Sequence, residues 1–151
     1  MRAGKGVLTS VSVKIHVPVQ LAWQALYRIL DAAEARPGSI ELHVALPHAL
    51  GTSAAVPVRL VTAAGNSRYE REITIEALDS KVFPQFRGVI AVVHTFANSC
   101  DLRLDGKYNP PLGAAGKIVD STLLRDSARQ SLERFMHSIA AQIEQLVKLP
   151  L

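Results

Sequence analysis

Five histidines, His16, His43, His48, His94 and His137, and one cysteine, Cys100, are the side chains best suited to metal or nucleophile chemistry. Their spacing fits none of the usual arrangements. No H-E-x-x-H helix and no paired Cys/His motif is present, so no metal site is assigned. The sequence contains no G-x-S-x-G elbow, no P-loop and no G-x-G-x-x-G. Gly113-Ala114-Ala115-Gly116 lacks the Lys-Ser/Thr of a phosphate cradle and reads as a turn. No catalytic residue and no cofactor follow from motifs, and a single Cys offers no intrachain disulfide.

Polar residues on otherwise apolar strand faces are more informative. Tyr69 and Arg71 alternate in phase with Ile73 and Ile75, while the glutamates take the other face. His94 is in phase with Ile90, Val92 and Phe96, and Tyr108 with Leu102 and Leu104. If those faces point inward, these four groups could orient a ligand in an apolar site. A buried Arg71 needs a partner, because an isolated charge inside a protein is prohibitive. The competing reading places Arg71 at a strand end on the rim and makes His94 a satisfied structural histidine. Trp23 reads as core, and Cys100 as a small buried hydrophobe.

The elements that position these residues come from periodicity. Val7 to Val17 alternates with a period of two, a half-buried strand. Pro18 then starts a short helical segment in which Leu21, Ala22, Ala25, Leu26 and Ile29 recur at helical spacing, fading by Ala35. Alternating runs follow at 40–46, 56–62 and 69–77, then a stretch from Phe83 to Phe96 with Gly88 as an expected bulge, then 100–105. Asp120 is a candidate N-cap for a long amphipathic helix with Leu124, Ala128, Leu132, Phe135, Ile139, Ile143 and Leu146 on one stripe. About 28 residues at 1.5 Å each give roughly 42 Å, enough to cross a small domain. The fold class is α+β: about seven antiparallel strands in a curved sheet around the C-terminal helix, with short helices after the first strand. The whole chain, 1–151, reads as one domain. A curled sheet meets a helix closely only along one line, so side chains fill the remaining space or a cavity remains.

With this element order in view, Asp105-Gly106-Lys107-Tyr108-Asn109-Pro110-Pro111-Leu112-Gly113 leading into the long helix resembles the SRPBCC superfamily. That group includes START-like lipid-binding domains, pollen-allergen-like helix-grip proteins, and polyketide cyclases and dehydrases. Pro18-Val19-Gln20-Leu21-Ala22-Trp23 is similar to its strand-to-helix entry. The resemblance covers nearly the whole chain and implies a seven-stranded sheet gripping the last helix around a hydrophobic pocket. It carries over no catalytic residue. The candidate lining is Tyr69, Arg71, Ile73, Ile90, Val92, His94, Leu102 and Tyr108 from the strands, with Leu132, Phe135, Met136 and Ile139 from the helix.

Composition narrows the partners. The 151 residues carry 17 Lys+Arg against 13 Asp+Glu, a net charge of +4, but the basic residues are scattered and mostly beside acids. Without a basic run, and with four Phe, three Tyr and one Trp to stack bases, the sequence points away from nucleic acid. No apolar run reaches the length of a membrane span or a secretory signal, so the chain reads as soluble and cytoplasmic, monomer or homodimer. Three functions fit: a binding or carrier protein for a hydrophobic small molecule such as a lipid, isoprenoid or polyketide; a cyclase, dehydratase or hydrolase using Arg71, Tyr69 and His94 in the same pocket; or a protein-interaction module.

Overall fold

The computed structural model describes residues 7–45, 53–78, 85–109 and 121–148. Strand β1 (Val7–Ile15) alternates as its sequence does, burying Val11, Val13 and Ile15. Pro18, at φ −60°, caps helix α1 (Val19–Ala35), and its carbonyl accepts the Ala22 N–H at 2.9 Å. This is a single helix of 17 residues, rather than several short ones. It buries Ala22, Ala25, Leu26, Ile29, Leu30 and Ala33 along one stripe. Gly38 then takes a φ of +88°, a left-handed conformation that suits glycine, and donates its N–H to the Val58 carbonyl. That turn delivers the chain into β2 (Ile40–Ala45) beside β3 (Ser53–Ala64).

Strands β4 (Glu70–Ala77), β5 (Gln85–Phe96) and β6 (Ser99–Asn109) complete an antiparallel sheet in the order β1-β6-β5-β4-β3-β2. Six strands lie among the described residues, against the expected seven or so, because the run ending at Phe96 pairs with both neighbours as one continuous strand. Helix α2 (Ser121–Lys148) has 28 residues and packs against β1 and β2, the two edges of the sheet. The sheet therefore wraps around the helix, and α1 closes one end against α2. The Glu144 carboxylate accepts the His16 backbone N–H at 3.2 Å and ties α2 to the β1–α1 junction. The Asp120 cap, the 110–116 turns, Phe83 and His48 lie outside the described residues.

Gly88 is not a bulge. It stays in register with Ile73 on one side and with Gly106 on the other. A Cβ on Gly88 would run into the Asp105 carbonyl oxygen and lie 2.7 Å from the Gly106 Cα. A Cβ on Gly106 would strike the Arg87 carbonyl oxygen and lie 2.6 Å from the Phe86 ring. The two glycines thus let β5 and β6 bend sharply on the inner face, and Phe86 covers the gap. The register shift falls instead between His94 and Phe96.

Alanine at Gly88 forces backbone against backbone and is expected to cost about 1–3 kcal/mol. Phe135→Ala, in a packed core, is expected to cost about 3–5 kcal/mol. Urea unfolding measures both, and a Phe135 loss below about 1 kcal/mol would show that its ring borders open space.

Candidate functional site

The inner face gathers most of the expected lining. Ile73, Ile90, Val92, Leu102 and Tyr108 from the sheet are buried, as are Leu132, Phe135, Met136 and Ile139 from α2. Several are wholly inaccessible: Ile90, Leu102, Leu132 and Met136 are at 0% exposure, so no water-sized void touches them. This stretch of the interior is a filled core. The two best-formed hollows among the described residues open on the surface, both bordered by α1.

Two hydroxyls interrupt the apolar interior. Tyr108 points inward from β6 and Ser131 from α2, both buried; the two hydroxyls are close enough to act on each other, yet neither meets full hydrogen-bonding geometry with any partner. Burial pushes the Tyr108 phenol up to about 12, while the nearby Ser131 hydroxyl pulls the other way. The phenol is therefore a proton donor across the ordinary pH range. Sequence alternation placed Tyr108 correctly, since Leu102 and Leu104 precede it in phase. Ser131 was missed, although it sits three residues after Ala128 and four before Phe135, on the buried stripe of α2.

At the end closed by α1 the chemistry is different. Arg71 is half-buried and donates from Nη2 to Thr62 Oγ1 at 2.6 Å, and the Thr62 hydroxyl donates to Glu34 Oε1 at 2.7 Å. Its guanidinium lies 4.7 Å from the centre of the Tyr27 ring, and its Nε is buried without a partner. Trp23 packs between Tyr27, at 6.2 Å edge-on, and Tyr69, at 5.9 Å. Tyr69 and Arg71 therefore meet α1 at the rim rather than the middle of the interior, and local spacing carries no sign that Tyr27, Thr62 and Glu34 complete the cluster.

His94 lies two residues beyond Val92 on β5, and the Val92 N–H donates to the Tyr69 carbonyl at 3.0 Å. His94 is exposed, and the register shift after it places Phe96, 68% exposed, beneath the Lys14 ammonium, which belongs to the exposed face of β1. Among the described residues no hydrogen bond links His94 to Tyr69 or Arg71. Cys100 is buried and donates its thiol to the Val17 carbonyl at 3.3 Å. Among the described residues no three His, Cys, Asp or Glu side chains gather as metal ligands, and no helix is long and apolar enough to cross a membrane.

No protein-family model matches the sequence, and no curated protein matches it. Solved structures do. A conserved protein from Geobacillus kaustophilus superposes with a TM-score of 0.62 at 15% identity, covering 92% of this chain and 96% of that one. A START superfamily protein from Mycobacterium smegmatis gives 0.56 at 13% identity, covering 92% and 98%. The di-domain ARO/CYC protein BexL, from the BE-7585A biosynthetic pathway, gives 0.58 at 11% identity, covering 96% of this chain and 51% of that one. The chain has a START-like, helix-grip fold.

Burial, with the Asp101 carboxylate second, raises the Cys100 thiol from 9.0 to about 11. Both Cys100 and Tyr108 are neutral acids whose folded values exceed their unfolded ones. Their contribution is intact below the unfolded value and is lost as pH climbs to the folded one. The urea midpoint is expected to fall from about pH 9 to 11 through Cys100 and from about pH 10 to 12 through Tyr108. Subtracting the Cys100→Ala and Tyr108→Phe titrations from wild type isolates each share. Superimposable curves from pH 9 to 12 would contradict the assignment.

Proposed function

We propose that a chain with this START-like fold binds a small hydrophobic molecule between the curled sheet and α2, its polar group held by the Tyr108 and Ser131 hydroxyls. The carrying observation is that pair: two buried hydroxyls, one on each side of the sheet–helix interface, close to each other but without a well-formed hydrogen bond. Each unsatisfied buried hydroxyl costs about 1–3 kcal/mol. An apolar ligand with a single hydroxyl or carbonyl restores those bonds, the neutral phenol donating to its oxygen. Because the described interior holds no water-sized void against its wholly buried residues, the ligand enters by displacing side chains. Met136, unbranched and adaptable, lies on the same stripe of α2. The START superfamily and ARO/CYC proteins that share the fold support the reading at the level of architecture. For the catalytic alternative through Tyr69, Arg71 and His94, only the Arg71 contact to Thr62 is formed, and no hydrogen bond links the three among the described residues. The exposed apolar side chains Leu8, Leu21, Tyr27, Val61, Phe96 and Leu146 are spread over five elements, which does not favour an interaction module.

Native mass spectrometry of the purified protein is expected to show a small-molecule adduct. A saturating ligand, at 100 times its Kd, is expected to add about 2.7 kcal/mol of stability. Tyr108→Phe is expected to raise the ligand-free urea midpoint, because it deletes an unsatisfied hydroxyl, and to reduce the ligand-induced gain. A Tyr108→Phe protein that is less stable when empty would mean the phenol is already satisfied, and the proposal would lose its basis.

A further inference from the structure

We infer that the groove between the start of α1 and the β3–β4 turn is a second binding site, for a small planar aromatic carboxylate. The groove holds about 360 Å³ and is lined by Gln20, Trp23, Gln24, Arg68 and Tyr69. One wall is aromatic: the half-buried Trp23 and Tyr69 rings stand 5.9 Å apart at 58°. The other groups are polar. Gln20 and Gln24 stand one turn apart on α1, and the exposed Arg68 guanidinium lies 5.4 Å from the centre of the Tyr69 ring.

Among the described residues no acidic side chain lines the groove. Arg68 and Arg71 both rest on aromatic rings, and neither forms an ion pair with a carboxylate among the described residues. The nearby acids are engaged elsewhere, Glu70 accepting from the Ser67 hydroxyl and Glu34 from Thr62. The first turn of α1 contains no acid. A guanidinium stacked on a ring keeps its N–H fork in the ring plane's vicinity, free to take a carboxylate in the bidentate manner. The ligand's ring then packs against the indole and the phenol. Inorganic phosphate uses the fork without the rings, and a neutral arene uses the rings without the fork, so an aromatic acid is the class that engages both. This site is separate from the interior one: Tyr108 pairs with Val7 at the start of β1, whereas Trp23 follows the end of that strand.

Trp23 is the only tryptophan, so one indole N–H resonance of the ¹⁵N-labelled protein reports the groove. Titration with 1-naphthoate is expected to shift that resonance saturably. Binding at least tenfold weaker is expected for 1-naphthamide, for inorganic phosphate, and for 1-naphthoate with Arg68→Gln, a surface change whose folding the remaining amide spectrum checks. Tyr108→Phe is expected to leave the naphthoate shift unchanged. No indole shift at millimolar naphthoate overturns the inference, as does amide or phosphate binding as tight as the acid. Full affinity in Arg68→Gln, or loss of the shift in Tyr108→Phe, overturns it as well, the latter by placing the ligand in the interior.

Discussion

A single helix packed against both edges of one sheet dictates the rest of this architecture. Because α2 must reach β1 and β2 at once, the four strands between them have to curl around it. The ordinary twist of about 20–25° per strand supplies part of that curvature. The remainder is concentrated at Gly88 and Gly106, opposed on the inner face, where the missing Cβ atoms let β5 and β6 close on each other and Phe86 lies over the bend. Small residues do similar work at the end of the molecule. Ala22, Ala25 and Ala33 let α1 sit low where it closes the curl.

What the sequence revealed depended on how local the cause was. Alternation from Val7 to Val17 and the three–four spacing of α2 are intrinsic to their segments, so strand, helix and inward faces were readable without a partner. Tyr108 was readable for the same reason. Gly88 was not: a glycine inside a strand marks either a bulge or a close approach, and only the opposing Gly106, set by register, distinguishes them. His94 keeps the phase of Ile90 and Val92, opposite the buried Cys100, but lies near the strand end and is exposed, which alternation does not report; the register shift after it displaces only Phe96. Arg71 was placed on the right face, but what accommodates its charge, the Tyr27 ring and the Thr62 hydroxyl, comes from α1 and β3. Such a partnership across the fold leaves no trace in local spacing. Ser131 shows a different limit, because a stripe counted by its apolar members hides the polar one.

The filled interior and the binding proposal are reconciled by how unevenly α2 is held. Its C-terminal half is fastened by α1 and by the Glu144 contact to His16, with Ile139 and Ile143 buried alongside. Ser131 lies in the other half, between the wholly buried Ala128 and Leu132. A protein selected for stability alone would place Phe at 108 and Ala at 131. Retaining two polar atoms there has a stability cost and makes sense where something else completes them.

Along the inner face of β4 the character changes within a few residues, from Tyr69 and Arg71 to Ile73, Ile75 and Ala77. The change follows the covering element. Where α1 lies over the strand end, aromatic rings and a threonine hydroxyl accommodate a guanidinium that an apolar core would reject. Beyond it, the wholly buried Ile75 belongs to the same apolar core as the α2 stripe, and no charge is tolerated there. One continuous strand therefore supports a cationic, aromatic rim and an apolar body without any bulge in its register. On the two binding proposals above, desolvation favours a ligand charged at neutral pH at the first and an uncharged apolar one at the second. The division of chemistry between the two ends is set by which helix covers the strand.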